Sequence, residues 1–186
     1  MLRVVGFDPS LNNWGIATGT YCSQTQRHTV SEITVTQPTL PTGKQVRQNS
    51  KDLVAGNQLA ERAIAAAQGA QAIFVEVPVG SQSARAMASY GVCVGILATL
   101  RAIDIPFFEV TPNEVKMVSV GKKTATKRQM IEWAYGLYPD AGWPTYTKKG
   151  EIFLTESKAE HMADAIAAIH AGVQLAEFKQ LIKMRA

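Results

Sequence analysis

Three carboxylates occupy positions in this sequence where an acid is out of place unless it has a task. Asp8 closes the apolar run 2–7, Glu76 interrupts the apolar run 72–77, and Asp164 lies in an alanine-rich stretch otherwise suited to packing. An ionised carboxyl taken out of water must pair, bind a cation or become neutral. A divalent metal ion would satisfy all three at once. Each acid taken alone reads more simply as a strand end or helix edge that reaches solvent; Glu76, with apolar neighbours on both sides, resists that reading most.

His161 precedes Asp164 by three residues. On a helix that spacing puts both on one face, where one metal ion or water can contact both. Glu160 is adjacent, but Ser157-x-x-Glu160 has the form of a capping box, the role preferred for it here over ligation. His28 and His170 have no acidic neighbour in sequence and read as ordinary core or surface histidines.

The elements that must position these groups follow from periodicity. Residues 2–7, 14–20 and 29–36 read as three strands of an antiparallel meander, with a turn at Asp8-Pro9-Ser10. Residues 50–68 carry Leu53, Val54, Leu59, Ala60 and Ile64 at helical spacing, and 72–77 reads as a strand buried on both faces. A long helix at 83–102 contains Gly91-Val92-Cys93-Val94-Gly95, small residues read as close packing on the sheet. A fifth strand at 105–110, a basic segment, a helix at 126–137, an irregular loop at 140–156 and a closing helix from about 157 past His170 complete the chain. The expected architecture is one α/β domain spanning 1–186, a five-stranded mixed sheet flanked by helices.

The 186 residues suffice for one core, and the net charge of +4 is a mild excess. Its distribution says more. Residues 116–128 hold five basic side chains (Lys116, Lys122, Lys123, Lys127 and Arg128) and no acid, the pattern of a phosphate-facing surface as well as of a solvated helix start. The longest apolar stretch is broken by Arg101 and Asp104, so no membrane span is expected. Neither a secretory leader nor a disulfide framework is expected, and Cys22 and Cys93 are read as free thiols of a cytoplasmic protein.

Four motifs in order, Gly6-Phe7-Asp8-Pro9-Ser10, Ile73-Phe74-Val75-Glu76, Val115-Lys116-Met117-Val118-Ser119-Val120-Gly121 with Lys127, and His161-Met162-Ala163-Asp164-Ala165, resemble those of the RuvC family of Holliday junction resolvases, phage-type members included. The resemblance implies a ribonuclease H-like fold and a structure-selective endonuclease that resolves four-way DNA junctions by paired nicks. It implies that Asp8, Glu76, His161 and Asp164 are catalytic and hold two Mg²⁺ ions, with Mn²⁺ a substitute, His161 serving as ligand or as general base. Lys116, Lys122, Lys123 and Lys127 look similar to the family's DNA-contacting lysines, and Ser81, Gln82 and Arg85 are expected on backbone phosphates.

A resolvase makes two symmetric cuts, so the resemblance also implies a homodimer, with Met87, Tyr90 and Val94 of the 83–102 helix as the candidate interface, in a bacterial or phage-infected bacterial cell. One departure bears on substrate. The family carries an aromatic residue shortly after the sheet glutamate, whereas this chain has Val77-Pro78-Val79-Gly80, which leaves Trp143 or Tyr146 to stack on junction bases. A broader branched or flap DNA nuclease, or a non-catalytic DNA-binding relative, stands as the alternative. A sugar kinase or actin-like enzyme fits less well, because it needs two such domains and a second phosphate loop.

Overall fold

The structure, a computed structural model, describes residues 1–43 and 45–185. Five strands, β1 (Leu2–Asp8), β2 (Trp14–Cys22), β3 (Arg27–Thr36), β4 (Ala72–Glu76) and β5 (Phe108–Val110), form one sheet in the order β3-β2-β1-β4-β5. The first three pair antiparallel; β4 lies parallel to β1, and β5 parallel to β4. Helices α1 (Gln48–Ala67) and α2 (Ala84–Ala102) cover one face. The other face carries α3 (Pro112–Ser119), α4 (Lys127–Leu137), α5 (Glu156–Gly172) and α6 (Ala176–Met184). The expected five-stranded mixed sheet flanked by helices is the observed one. No described helix is long and apolar enough to cross a membrane.

Side-chain alternation splits the apolar residues of β1 and β4 between two cores. Val4, Ala72 and Phe74 pack with α5; Val5, Phe7, Ile73 and Val75 pack with α1 and α2. Runs apolar at every position are what a strand covered on both faces requires.

Several expectations are corrected. The loop 140–156 contains a hairpin, β6 (Thr145–Lys148) and β7 (Glu151–Leu154), turned by Lys149 and Gly150, both with positive φ. Strand β5 is shorter than 105–110, because Pro106 has no amide to donate and the Ile105 N–H closes the end of α2 on the Leu100 carbonyl. Helix α3 begins between the expected strand at 105–110 and the basic segment at 116–128, and runs on into that segment. Thr111 caps it, Pro112 sits in its first turn and Glu114 reaches back to complete a capping box. Gly91 and Gly95 do not pack on the sheet; both are exposed, and a Cβ on either would meet nothing within 4 Å. Leu53 and Val54 are also exposed, the buried stripe of α1 being Asp52, Ala55, Leu59, Ala63 and Ala67.

Candidate active site

Strand parity decides where the acids point. Val4 and Gly6 of β1, and Ala72 and Phe74 of β4, belong to the series facing α5, so Asp8 and Glu76 continue that series at the strand ends. The parallel register pairs Phe7 with Val75, making Asp8 and Glu76 the next residues on adjacent strands. α5 crosses directly above. A Cβ on Gly6 would lie 2.1 Å from the Ala165 carbonyl oxygen, and one on Gly15 would lie 1.9 Å from that of His161. The missing side chains therefore let the helix backbone rest on the sheet and bring His161 and Asp164 down to the two strand-end acids.

Asp8, Glu76, His161 and Asp164 line one cleft of about 460 Å³, together with Glu160, Lys127 and Tyr90. His161 Nδ1 lies 2.5 Å from Asp8 Oδ2. Asn13 fixes the rim, its Nδ2 donating to the Ser157 carbonyl at the start of α5 while its Oδ1 accepts from Gln37. Behind the cleft the Cys93 thiol is pushed up to about 12, by burial first and by the Asp8 charge second, and is inert as a nucleophile.

Four acids, Asp8, Glu76, Glu160 and Asp164, line the cleft against one lysine and one histidine. Glu76 Oε2 is buried with no hydrogen-bond partner. Burial first, and the Asp8 charge second, push the Glu76 carboxyl up to about 8, with Lys116 opposing. Asp164 is raised well above the carboxylate range by burial and then by Asp8, Glu76 and Glu160. Burial works to lower His161, but its hydrogen bond to Asp8 and the charges of Asp8, Glu160 and Asp164 outweigh burial and raise it.

An orphaned buried carboxylate oxygen beside two further acids and an imidazole is a donor set that fits Mg²⁺ or Mn²⁺. In the described geometry no three histidine, cysteine or acid side chains have closed on a common point, and Asp8 is turned onto His161 instead.

The capping role expected for Glu160 is not observed. α5 starts one residue before Ser157, Thr155 at its N-cap makes no side-chain bond, and Glu160 instead accepts from Lys127 Nζ at 2.7 Å. That bond is the chief reason the lysine is held above its ordinary range.

Of the other basic residues, Lys116 is half-buried on α3, while Lys122 and Lys123 are exposed in the turn before α4. Ser81 and Gln82 are exposed ahead of α2. Arg85, expected on phosphates, forks onto Asp52 of α1 with contacts of 2.5 and 2.7 Å. Trp143, expected to stack on bases, is buried with its indole N–H on the Tyr138 carbonyl; Tyr146 is exposed. Tyr90, expected with Met87 and Val94 at an interface, lines the cleft.

No family model matches the chain, and no characterised protein is significantly similar to it in sequence. Solved structures do match. RuvC of Thermus thermophilus in complex with a Holliday junction substrate superposes with a TM-score of 0.60 at 16% identity, over 92% of each chain. A second T. thermophilus RuvC structure gives 0.59 at 17%, over 91% of this chain and 92% of that one. The yeast mitochondrial Holliday junction resolvase Ydc2 gives 0.58 at 14%, over all of this chain and 86% of that one. At these identities the likeness is one of fold: the chain has the mixed-sheet, ribonuclease H-like architecture of the RuvC resolvases.

Proposed function

We propose that this chain is a metal-dependent endonuclease that resolves four-way DNA junctions by paired symmetric nicks. The observation that carries the reading is the gathering of Asp8, Glu76, His161 and Asp164, from β1, β4 and α5, on one cleft whose buried Glu76 oxygen has no partner. The shared fold with resolvases supports the choice of substrate.

Asp8, Glu76 and Asp164, with His161, would hold two Mg²⁺ ions, for which Mn²⁺ substitutes. When bound, the metal supplies an activated water and a counter-charge for the leaving oxygen. The protein's part is positioning and charge. Asp8 holds Nδ1 of His161, which leaves Nε2 free either to ligate or to accept a proton from water. Lys127, now on Glu160, stands at the same cleft to meet a phosphate, and Lys116, Lys122 and Lys123 extend positive charge beyond it.

Two symmetric cuts call for two sites, so the chain would act as a homodimer with two-fold symmetry. Exposed Leu53 of α1, at a depression lined by Gly56, Ala60, Ala88 and Val92 as well as by Asn49, Asp52 and Asn57, and exposed Met87 and Val94 of α2 support the α1–α2 side as the interface.

The test is cleavage of labelled four-way junction, flap and linear duplex DNA in Mg²⁺ or Mn²⁺, wild type against Asp8→Asn. Paired nicks confined to the junction, and lost in Asp8→Asn, are expected. Equal cutting of flaps would replace this reading with a general branched-DNA nuclease, and junction binding without cutting would make the chain a binding protein.

A further inference from the structure

The β6–β7 ribbon takes no part in the metal chemistry proposed above, yet its composition is unusual for a surface hairpin. Tyr146 and Phe153 are direct cross-strand partners. Their rings stack with centroids 5.7 Å apart and planes 27° from parallel, while the residues remain 48% and 39% exposed. A two-stranded ribbon is marginal by itself, and an exposed aromatic pair leaves apolar surface in water. The ribbon is fixed at its base, where the Thr155 N–H donates to the Pro144 carbonyl at 2.7 Å and Leu154 packs on the core. Parity puts Lys148 and its cross-strand partner Glu151 on the same face as the two rings, and the turn puts Lys149 at the tip.

Its placement supplies the occupant. Ser157, three residues beyond β7, lines the cleft. Four residues of strand reach about 13 Å from the base, and His161 lies only about 7 Å along α5 from its first residue. The ribbon is therefore rooted beside the cleft, within a few nucleotide steps of about 3.4 Å of a phosphate seated there. Aromatic faces beside lysines are what an unpaired base and its phosphates require, since every base has a π-face and the backbone is anionic. Trp143, the other aromatic of this segment, is buried and unavailable.

We propose that the β6–β7 ribbon is a base-stacking platform, on which Tyr146 and Phe153 receive an unpaired base of branched DNA beside the cleft while Lys148 and Lys149 hold the neighbouring phosphates. The proposal rests on the nuclease reading and adds to it the element that recognises an open branch point.

The test is photo-crosslinking of the full chain, in EDTA, to a four-way junction carrying 5-iodouracil at the branch, followed by mass spectrometry. The adduct is expected on Tyr146 or Phe153. The double variant Tyr146→Ala/Phe153→Ala, whose lost rings are exposed, should bind the junction about ten-fold more weakly or worse while changing little toward linear duplex; Tyr146→Phe should bind as wild type. An adduct elsewhere on a chain that still cuts junctions overturns the ribbon alone. So does a double variant whose oligomeric state changes while its junction affinity does not, which would make the ribbon a contact between copies. A wild type that neither binds nor cuts DNA overturns this proposal and the nuclease reading together.

Discussion

His161 Nδ1 sits 2.5 Å from an Asp8 carboxylate oxygen although 153 residues separate the two in the chain. The contact ties the end of the first strand to the last long helix and holds one ring nitrogen while leaving the other to chemistry. Asp8→Asn is expected to lower cutting by about a thousand-fold, as removal of preorganised catalytic charge does. It should also drop the His161 pKa, because burial then acts against a weaker set of charges. Titration of the His161 ring protons by NMR, assigned with His161→Gln, measures this directly. An unchanged titration would assign the raised value to Glu160 and Asp164.

Glu76 makes the metal-free protein sensitive to alkali. Its carboxyl stands at about 8 in the folded chain, against an ordinary value of 4.5, so the folded state binds the proton more tightly. The resulting stabilisation is complete below pH 4.5 and is lost as pH rises through about 8. Asp164 and His161, also raised, act in the same direction. Chemical denaturation in EDTA should therefore show Glu76→Gln gaining stability over wild type as pH climbs toward 8, with cutting abolished. Mg²⁺ should stabilise wild type more than the variant. Equal pH profiles for the two proteins would contradict the burial of this charge.

The three acids were legible in the sequence because a carboxylate inside an apolar period is a local anomaly. The nearness of α5 was not. Gly6 and Gly15 look like any strand glycines until the helix carbonyls above them are seen. Non-local pairs were equally hidden: Ser157-x-x-Glu160 fits a cap, but Glu160 faces Lys127 on another helix, and Arg85 faces Asp52. Helix α3 and the ribbon were legible in principle, in Thr111-Pro112-Asn113-Glu114 and in Lys149-Gly150 between short β-branched and aromatic runs. Each is short, and the ribbon's aromatic residues are not core residues, so neither stands out by periodicity.

Gly15→Ala is expected to damage fold and site together. The added methyl has no room against the His161 carbonyl, so the helix must lift and carry His161 and Asp164 away from Asp8 and Glu76. Overpacking of this kind costs about 1–3 kcal/mol, and a backbone atom as the obstacle puts the effect at the upper end. The melting temperature and the junction cleavage rate should fall together. A variant that melts like wild type while cutting normally would show that the helix can shift without consequence.

The apolar α1–α2 face carries the dimer expectation. Leu53 is 75% exposed, Met87 46% and Val94 44%, with Gly91 and Gly95 open beside them. Exposed large apolar side chains gathered on one pair of helices are candidates for an interface between copies. Val94→Glu should turn a dimer into a monomer in sedimentation at micromolar concentration without lowering thermal stability of the subunit, and junction cutting should become single nicks. Wild type sedimenting as a monomer would remove this interface.

Away from the cleft, His170 sets an opposite, acidic limit. Burial first, and the neighbouring His28 second, bring its pKa down to about 4. Its ring meets His28 edge to face at 4.3 Å and Trp133 at 5.1 Å, and its Nε2 bonds the Tyr138 hydroxyl at 3.2 Å. His28, also lowered by burial, keeps a buried Nε2 without a partner. Both rings are thus held neutral, and their stabilising contribution is complete above the unfolded value of 6.5 and is lost on acidification, for His170 as pH falls toward about 4. For His170 the loss is on the order of 3 kcal/mol across that window. His170→Phe preserves the aromatic packing and gives up the Tyr138 bond, at about 1 kcal/mol. It should be slightly less stable than wild type at pH 7 but lose less on acidification, so that urea midpoints converge or cross at about pH 6. Parallel midpoints between pH 7 and 4.5 would show that the histidine pair takes up its proton without resistance from the core.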